Sequence, residues 1–97
     1  MALINTIYEA IDERRILSFV YKSETRTVEP YIVGYTDKNK LILSAVQRSG
    51  GSGDGFRSFD VNELSEVAKT DRRFSGTNPD YNPRDPLFAR ILRQVEF

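Results

Sequence analysis

The chain has 97 residues, 39% hydrophobic and 29% charged, which fits a single folded domain and is far from the composition of a disordered segment. Its 14 basic residues balance 14 acidic ones, so no global field draws it to nucleic acid or to an anionic membrane, and any anion affinity has to come from a local cluster. Cysteine and histidine are absent, which excludes disulfides, thiolate metal sites and the Ser/His/Asp and Cys/His nucleophile schemes.

Near the N-terminus Asn5, Thr6, Glu9, Asp12 and Glu13 interrupt every apolar stretch, so there is no signal-peptide core. No segment approaches the roughly 20 apolar residues that cross a bilayer. A cytoplasmic location without membrane attachment is the expectation. From Ala2 to Arg15, Leu3, Ile4, Ile7, Tyr8, Ala10 and Ile11 recur at the spacing of one helix face, and an amphipathic helix is predicted. Glu9, Asp12 and Glu13 fall on its polar side, the position of solvated acids rather than of a catalytic pair. No enzyme, cofactor or metal site is expected.

Ile16 to Lys22 is a short run of β-branched and aromatic residues and reads as a first strand, with a polar turn at Ser23 to Thr25. Thr27 to Thr36 reads as a long or bent second strand in which Pro30, lacking an N–H, marks an edge, a bulge or a strand start. Asp37 to Lys40 is a turn, and Leu41 to Val46 is apolar enough to be buried on both faces. The glycine-rich 49–55 loop has neither the P-loop ending nor the spacing of a dinucleotide motif, so it is a flexible tip or a loop ordered by a ligand. Phe56 to Val61 and Leu64 to Lys69 read as two further strands. Phe74 to Pro83 reads as an irregular surface segment. Asp85-Pro86 then offers an N-cap and a first-turn proline ahead of Leu87, Phe88, Ile91, Leu92 and Val95 at helical spacing. The predicted fold is mainly β with flanking helices: five antiparallel strands closed into a small barrel between an N-terminal helix and a C-terminal amphipathic helix.

Several segments carry a family resemblance: Ala10 to Arg15 ending the first helix, Phe19-Val20-Tyr21, Arg26-Thr27-Val28-Glu29-Pro30-Tyr31, Lys40 to Leu43, Gly55-Phe56-Arg57-Ser58-Phe59, and Thr70 to Phe74. In order and spacing they resemble the WYL domain, a small Sm-like β-barrel of bacterial and phage transcriptional regulators. The resemblance spans roughly Leu3 to Phe74. It implies a barrel domain over 1–74, with 75–97 as an irregular segment and a helix packed on that domain or on a partner. Two departures stand out: Leu41 and Ile42 replace the Trp and Tyr of the family signature, and Glu63 stands where many members carry an arginine.

For the family, the resemblance implies a positively charged pocket that senses a nucleic acid fragment or nucleotide-like ligand and signals to an attached DNA-binding domain. Arg26 and Arg57 are the matching cations, and Tyr31 and, more weakly, Tyr21 are available to stack or to donate to a phosphate. The bland alternative is that Arg26 pairs with Glu29 and Arg57 with Asp60. No helix-turn-helix is visible between the first helix and the first strand, so the chain is expected to be a stand-alone binding module, a fragment of a longer regulator, or a subunit acting on a partner. Two functions follow from these readings. One is sensing of single-stranded nucleic acid or a nucleotide in transcription regulation. The other is a protein interaction or homo-oligomerisation module that works through the C-terminal helix and has lost ligand binding.

Overall fold

The computed structural model describes residues 2–49, 55–75 and 78–96. Its elements in chain order are a helix α1 (Ala2–Glu13), strands β1 (Arg15–Tyr21), β2 (Glu24–Tyr35), β3 (Leu41–Ser49) and β4 (Gly55–Asp60), a 3-10 turn (Val61–Glu63), then β5 (Ser65–Arg73) and β6 (Arg90–Gln94). None of its helices is long and apolar enough to cross a membrane.

Helix α1 forms where the periodicity placed it: Ile7, Ala10 and Ile11 are fully buried, and Leu3, Ile4 and Tyr8 pack around them. It ends because Arg14 turns into the left-handed region at φ 53°, the conformation that closes many helices, and β1 starts at the next residue. Lys22 and Ser23, at φ 51° and 65°, form the two-residue turn between Tyr21 and Glu24, one residue earlier than the sequence suggested. Positive φ at both central positions is the type I′ signature, whose twist matches that of the strands it joins.

All strands join one antiparallel sheet in the order β4-β3-β2-β1-β5, with β6 also on β2. Strand β2 pairs with β3 along one edge, and on the other it pairs with β1 over Glu24–Val28 and with β6 over Ile32–Tyr35. The change of partner falls at Pro30, which has no N–H to offer, and next to a register shift between Pro30 and Ile32.

Two expectations need correction. The sheet is not a closed barrel: among the described residues β4 and β5, at the ends of the strand order, do not pair with each other. Asp60 accepts the Asn62 N–H at 3.0 Å to cap the 3-10 turn, Val61 and Leu64 are buried at that corner, and the chain is carried across to β1 rather than back along β4. The exposed row of charges on β5, including Glu66, Asp71, Arg72 and Arg73, suits an edge strand.

Among the described residues the C-terminal helix is also absent, and with it the helical docking surface expected for a partner or a second copy. The Asp85 signal is real but local. Its carboxylate accepts the Leu87 N–H at 2.9 Å and its carbonyl the Phe88 N–H at 3.2 Å. After this single turn the chain extends into β6. A helix of this length is marginal by itself, whereas the edge of β2 beyond Pro30 would otherwise leave backbone groups unpaired. The Ala89 N–H donates to the Tyr35 carbonyl at 2.9 Å and the Val95 N–H to the Tyr31 carbonyl at 2.8 Å, and Phe88 and Val95 are buried in the core of the same chain. Arg93 ties the strand to α1 through Asp12 and through the Tyr8 ring, 4.6 Å away.

Gly34 makes this pairing possible. A Cβ there would lie 2.3 Å from the Arg90 carbonyl oxygen and 2.9 Å from Ile91 Cα, both backbone atoms that cannot step aside. Gly34→Ala should therefore cost about 1 to 3 kcal/mol, the range for forced overpacking, read as a lower urea midpoint, and tryptic cleavage after Arg90 and Arg93 should accelerate.

Helix α1 is held to β5 by Lys69, whose Nζ donates to Glu9 and Glu13 at 3.0 Å each. These hydrogen bonds raise the Lys69 pKa, and the bond from Lys69 lowers that of Glu13. A lowered Glu13 contributes stability above its ordinary 4.5 that is lost as pH falls through the folded value. A raised Lys69 contributes below its ordinary 10.5 until pH rises through the folded value. Wild type should thus exceed Lys69→Met in thermal midpoint across neutral pH, and the gap should narrow as pH falls below 4.5 and through the lowered folded-state value of Glu13.

Candidate functional site

Strand alternation decides which residues can form a site. Leu17 faces Val28, Phe19 faces Arg26 and Tyr21 faces Glu24 across β1 and β2, while Leu43 faces Phe59 and Ala45 faces Arg57 across β3 and β4. Residues two apart share a face. Arg26 therefore follows the side of buried Val28, and Arg57 the side of buried Phe59. Both arginines lie on the core-facing side of the sheet, where an apolar residue is the ordinary occupant.

They line one cleft of about 580 Å³, together with Tyr21, Lys22, Glu24 and Phe59 and with Phe56 and Ser58 of β4. This volume is within the range of small-molecule sites. Its floor is aromatic: Phe59 is 1% exposed and packs edge-on against Phe19 at 5.0 Å and Tyr21 at 5.1 Å. The Arg26 guanidinium carbon sits 5.3 Å from the Tyr21 ring centre and 6.0 Å from that of Phe59. Its Nη1 donates to Gln47 Oε1 at 3.1 Å, and Gln47 itself is 1% exposed. Arg26 Nε is buried without a hydrogen-bond partner among the described residues. Three cations, Lys22, Arg26 and Arg57, share the cleft with one carboxylate, Glu24.

The simple ion-pair alternative for Arg26 does not hold. Glu29 pairs with Arg48 at 3.3 Å instead. Asp60, the acid considered for Arg57, uses its carboxylate to cap the 3-10 turn. The geometry brings Arg26, Arg57 and Tyr21 together and leaves Tyr31 out. Tyr31 is fully buried, with its ring 5.1 Å from Phe56, 5.5 Å from Phe74 and 4.9 Å from Tyr81. Its hydroxyl accepts the Asn78 N–H at 3.1 Å, and burial raises its pKa. It is a core residue that holds the 78–82 segment against β4.

Sequence reasoning missed Lys22, Glu24, Gln47, Phe56 and Phe59 as parts of one site. Gln47 carried a usable signal: it continues the Leu43-Ala45 face of a strand otherwise apolar on that side. Lys22 was hidden because the turn was placed one residue late. Glu63, the acid that replaces a family arginine, is exposed in the 3-10 turn and does not line this cleft. Leu41 is buried and Ile42 is half-buried against the core, so both serve packing. The glycine-rich stretch 50–54 lies outside the described residues.

Compared with known proteins, residues 2–69 match the family model of the WYL domain. No curated protein and no solved structure matches the chain.

Tyr31→Phe separates core from cleft. It strips the acceptor from the Asn78 N–H, and should cost about 1 to 2 kcal/mol of stability in a urea melt, while any ligand taken by the cleft should bind as in wild type.

Proposed function

Because the chain belongs to the WYL domain family, whose members are regulatory ligand-sensing domains and not catalysts, we propose that the cleft between the β1–β2 turn and β4 senses a phosphate-bearing ligand, single-stranded nucleic acid or a nucleotide, in the service of transcription regulation. The observation that carries this reading is the pair of arginines on the core-facing side of the sheet, above an aromatic floor. A cation at such a position costs folding free energy unless something compensates it. For Arg26, whose Nε is buried without a hydrogen-bond partner among the described residues, an anionic ligand supplies that compensation.

The parts have distinct tasks. Arg26 is pre-set by Gln47 and by stacking on Tyr21, so little rotamer freedom is lost when it grips a phosphate. Arg57 approaches from β4, giving two planar donor groups of the kind that hold two oxygens at once. Lys22 adds a mobile point charge at the turn. Half-buried Tyr21 offers its ring to a base, and stacking of this kind tolerates any base.

The test is fluorescence anisotropy of a labelled short single-stranded DNA at several salt concentrations. Binding should weaken with salt at a log–log slope of about −1.4, the value for two phosphate contacts on a single strand. Arg57→Ala should lose about 1.5 to 3 kcal/mol of binding with the fold intact. Absence of binding at tens of micromolar protein would sink the reading and turn the search to protein partners.

A further inference from the structure

Strand β4 forms one wall of the arginine cleft, and its backbone is supported from one side. It lies at an end of the strand order and pairs with β3 alone among the described residues. Successive side chains of a strand point to opposite faces, so Phe56 and Arg57 project to opposite sides of β4. Phe56, Arg57 and Ser58 border both the arginine cleft and a smaller space beneath the 80–85 segment, and β4 stands between the two.

On the face away from Arg57, Phe56 meets the C-terminal part of the chain. Its ring stacks on that of Tyr81, with centres 6.5 Å apart and planes inclined by 20°, and Tyr31 packs on both, at 5.1 Å and 4.9 Å. Tyr81 is tied onward to β6 and its end: its hydroxyl accepts from Gln94 Nε2 at 2.9 Å and donates to the Val95 carbonyl. From Pro79 to Leu87 only Tyr81 and Asp85 are not exposed, and Asp85 spends its carboxylate and carbonyl on the local turn. The side-chain carbonyls of Asn78 and Asn82 also bond locally, to the Asp80 and Arg84 N–H groups. A stretch bound to the sheet through so few groups opens more readily than the sheet itself. Tyr81 is the only aromatic residue from Asn78 to Leu87, and its ring is what this stretch lays against β4.

We infer that Tyr81 is a positioning residue for the anion site: its ring, acting through Phe56, holds β4 where Arg57 reaches the ligand, so that docking of the 78–94 segment and ligand binding reinforce each other. This role rests on the phosphate reading of the arginine cleft. Tyr81 lines the smaller space and not the arginine cleft, so it acts without touching the ligand. A ligand gripped by Arg57 binds best with β4 in place, and β4 is in place when the segment behind it is docked. Coupling of this kind is reciprocal, and the ligand stabilises the docked segment by the factor that the segment adds to affinity. The device lies beyond the matched 2–69, so it belongs to the C-terminal part of this chain.

The experiment joins fluorescence anisotropy of a labelled single-stranded DNA octamer with hydrogen exchange read by mass spectrometry. Tyr81→Ala should weaken octamer binding about five- to tenfold, the low end of coupling between sites. Tyr81→Phe keeps the ring, loses only the hydroxyl, and should bind as wild type. Tyr31→Phe is the control for lost stability: it removes a bond to the same segment, at Asn78, while leaving every ring in place, and it too should bind as wild type. Saturating octamer should slow exchange in 78–94 of the wild type by the same five- to tenfold, and Arg57→Ala at equal occupancy should lose that protection. Wild-type affinity in Tyr81→Ala, or a loss in Tyr81→Phe as large as in Tyr81→Ala, overturns the positioning role and leaves the phosphate site standing. Unchanged exchange of 78–94 in octamer-saturated wild type overturns it without any variant, so the test survives a Tyr81→Ala that fails to fold. Failure of wild type to bind the octamer removes the phosphate reading, and the positioning role with it.

Discussion

Strand β2 is hydrogen-bonded along both edges, and on one of them its partner changes from β1 to β6 across Pro30. The rest of the structure depends on that change. A proline inside a long strand cannot donate to the ladder, and the adjacent register shift leaves Tyr31 as the extra residue of β2 between the pairs Pro30–Ala45 and Ile32–Ser44. Before the bend, β2 presents Arg26 beside β1. After it, β2 needs a partner for its exposed edge and takes the C-terminal strand. Tyr31, at the bend itself, is buried against both β4 and the segment that precedes β6. One backbone irregularity thus separates the stretch of β2 that carries Arg26 beside β1 from the stretch that recruits the C-terminus to the same sheet.

The arginines show how a site and a core can occupy one surface. Alternation along β2 and β4 would ordinarily place aliphatic side chains at 26 and 57, and those would bury apolar area at about 25 cal/mol per Å². Instead a guanidinium lies against Tyr21 and Phe59, and the buried amide of Gln47 satisfies one of its donors. This arrangement gives up hydrophobic stabilisation, and Arg26 Nε remains buried without a bond of its own among the described residues. Positions that break the local rule in this way are where binding is expected to reside.

Elements governed by local periodicity were legible in the sequence. Helix α1, the first three strands and β4 follow from apolar spacing and β-branched runs, and Pro30 announced the irregularity in β2. Arg26, Arg57 and Tyr21 were legible as candidates because a motif resemblance pointed to them. What failed depended on tertiary competition. The 87–95 spacing satisfies a helix, and Asp85 does cap one turn, but nothing local reveals that Gly34 opens a path for a strand along β2. Barrel closure failed for a similar reason: the capped 3-10 turn after β4 decides which strand β5 meets. Tyr31 was misplaced because the register shift beside Pro30 removes it from simple alternation, so its orientation could not be counted from Arg26.

Zero net charge does not argue against an anionic ligand once the charges are located. The acids of α1 are engaged by cations of other elements: Glu9 and Glu13 by Lys69, Glu13 also by Arg15, and Asp12 by Arg93. Glu29 is engaged by Arg48. Those pairs largely cancel within a few ångströms, well inside the roughly 8 Å screening length of physiological salt. The cleft is different, since Lys22, Arg26 and Arg57 face Glu24 alone among the carboxylates that line it. The field a ligand meets there is set by that local imbalance and by the low-dielectric aromatic floor, not by the sum over 97 residues. On the proposed reading, a neutral protein of this design would attract anions weakly from a distance and hold them at contact, so that its selectivity would reside in geometry and dissociation rate rather than in long-range steering.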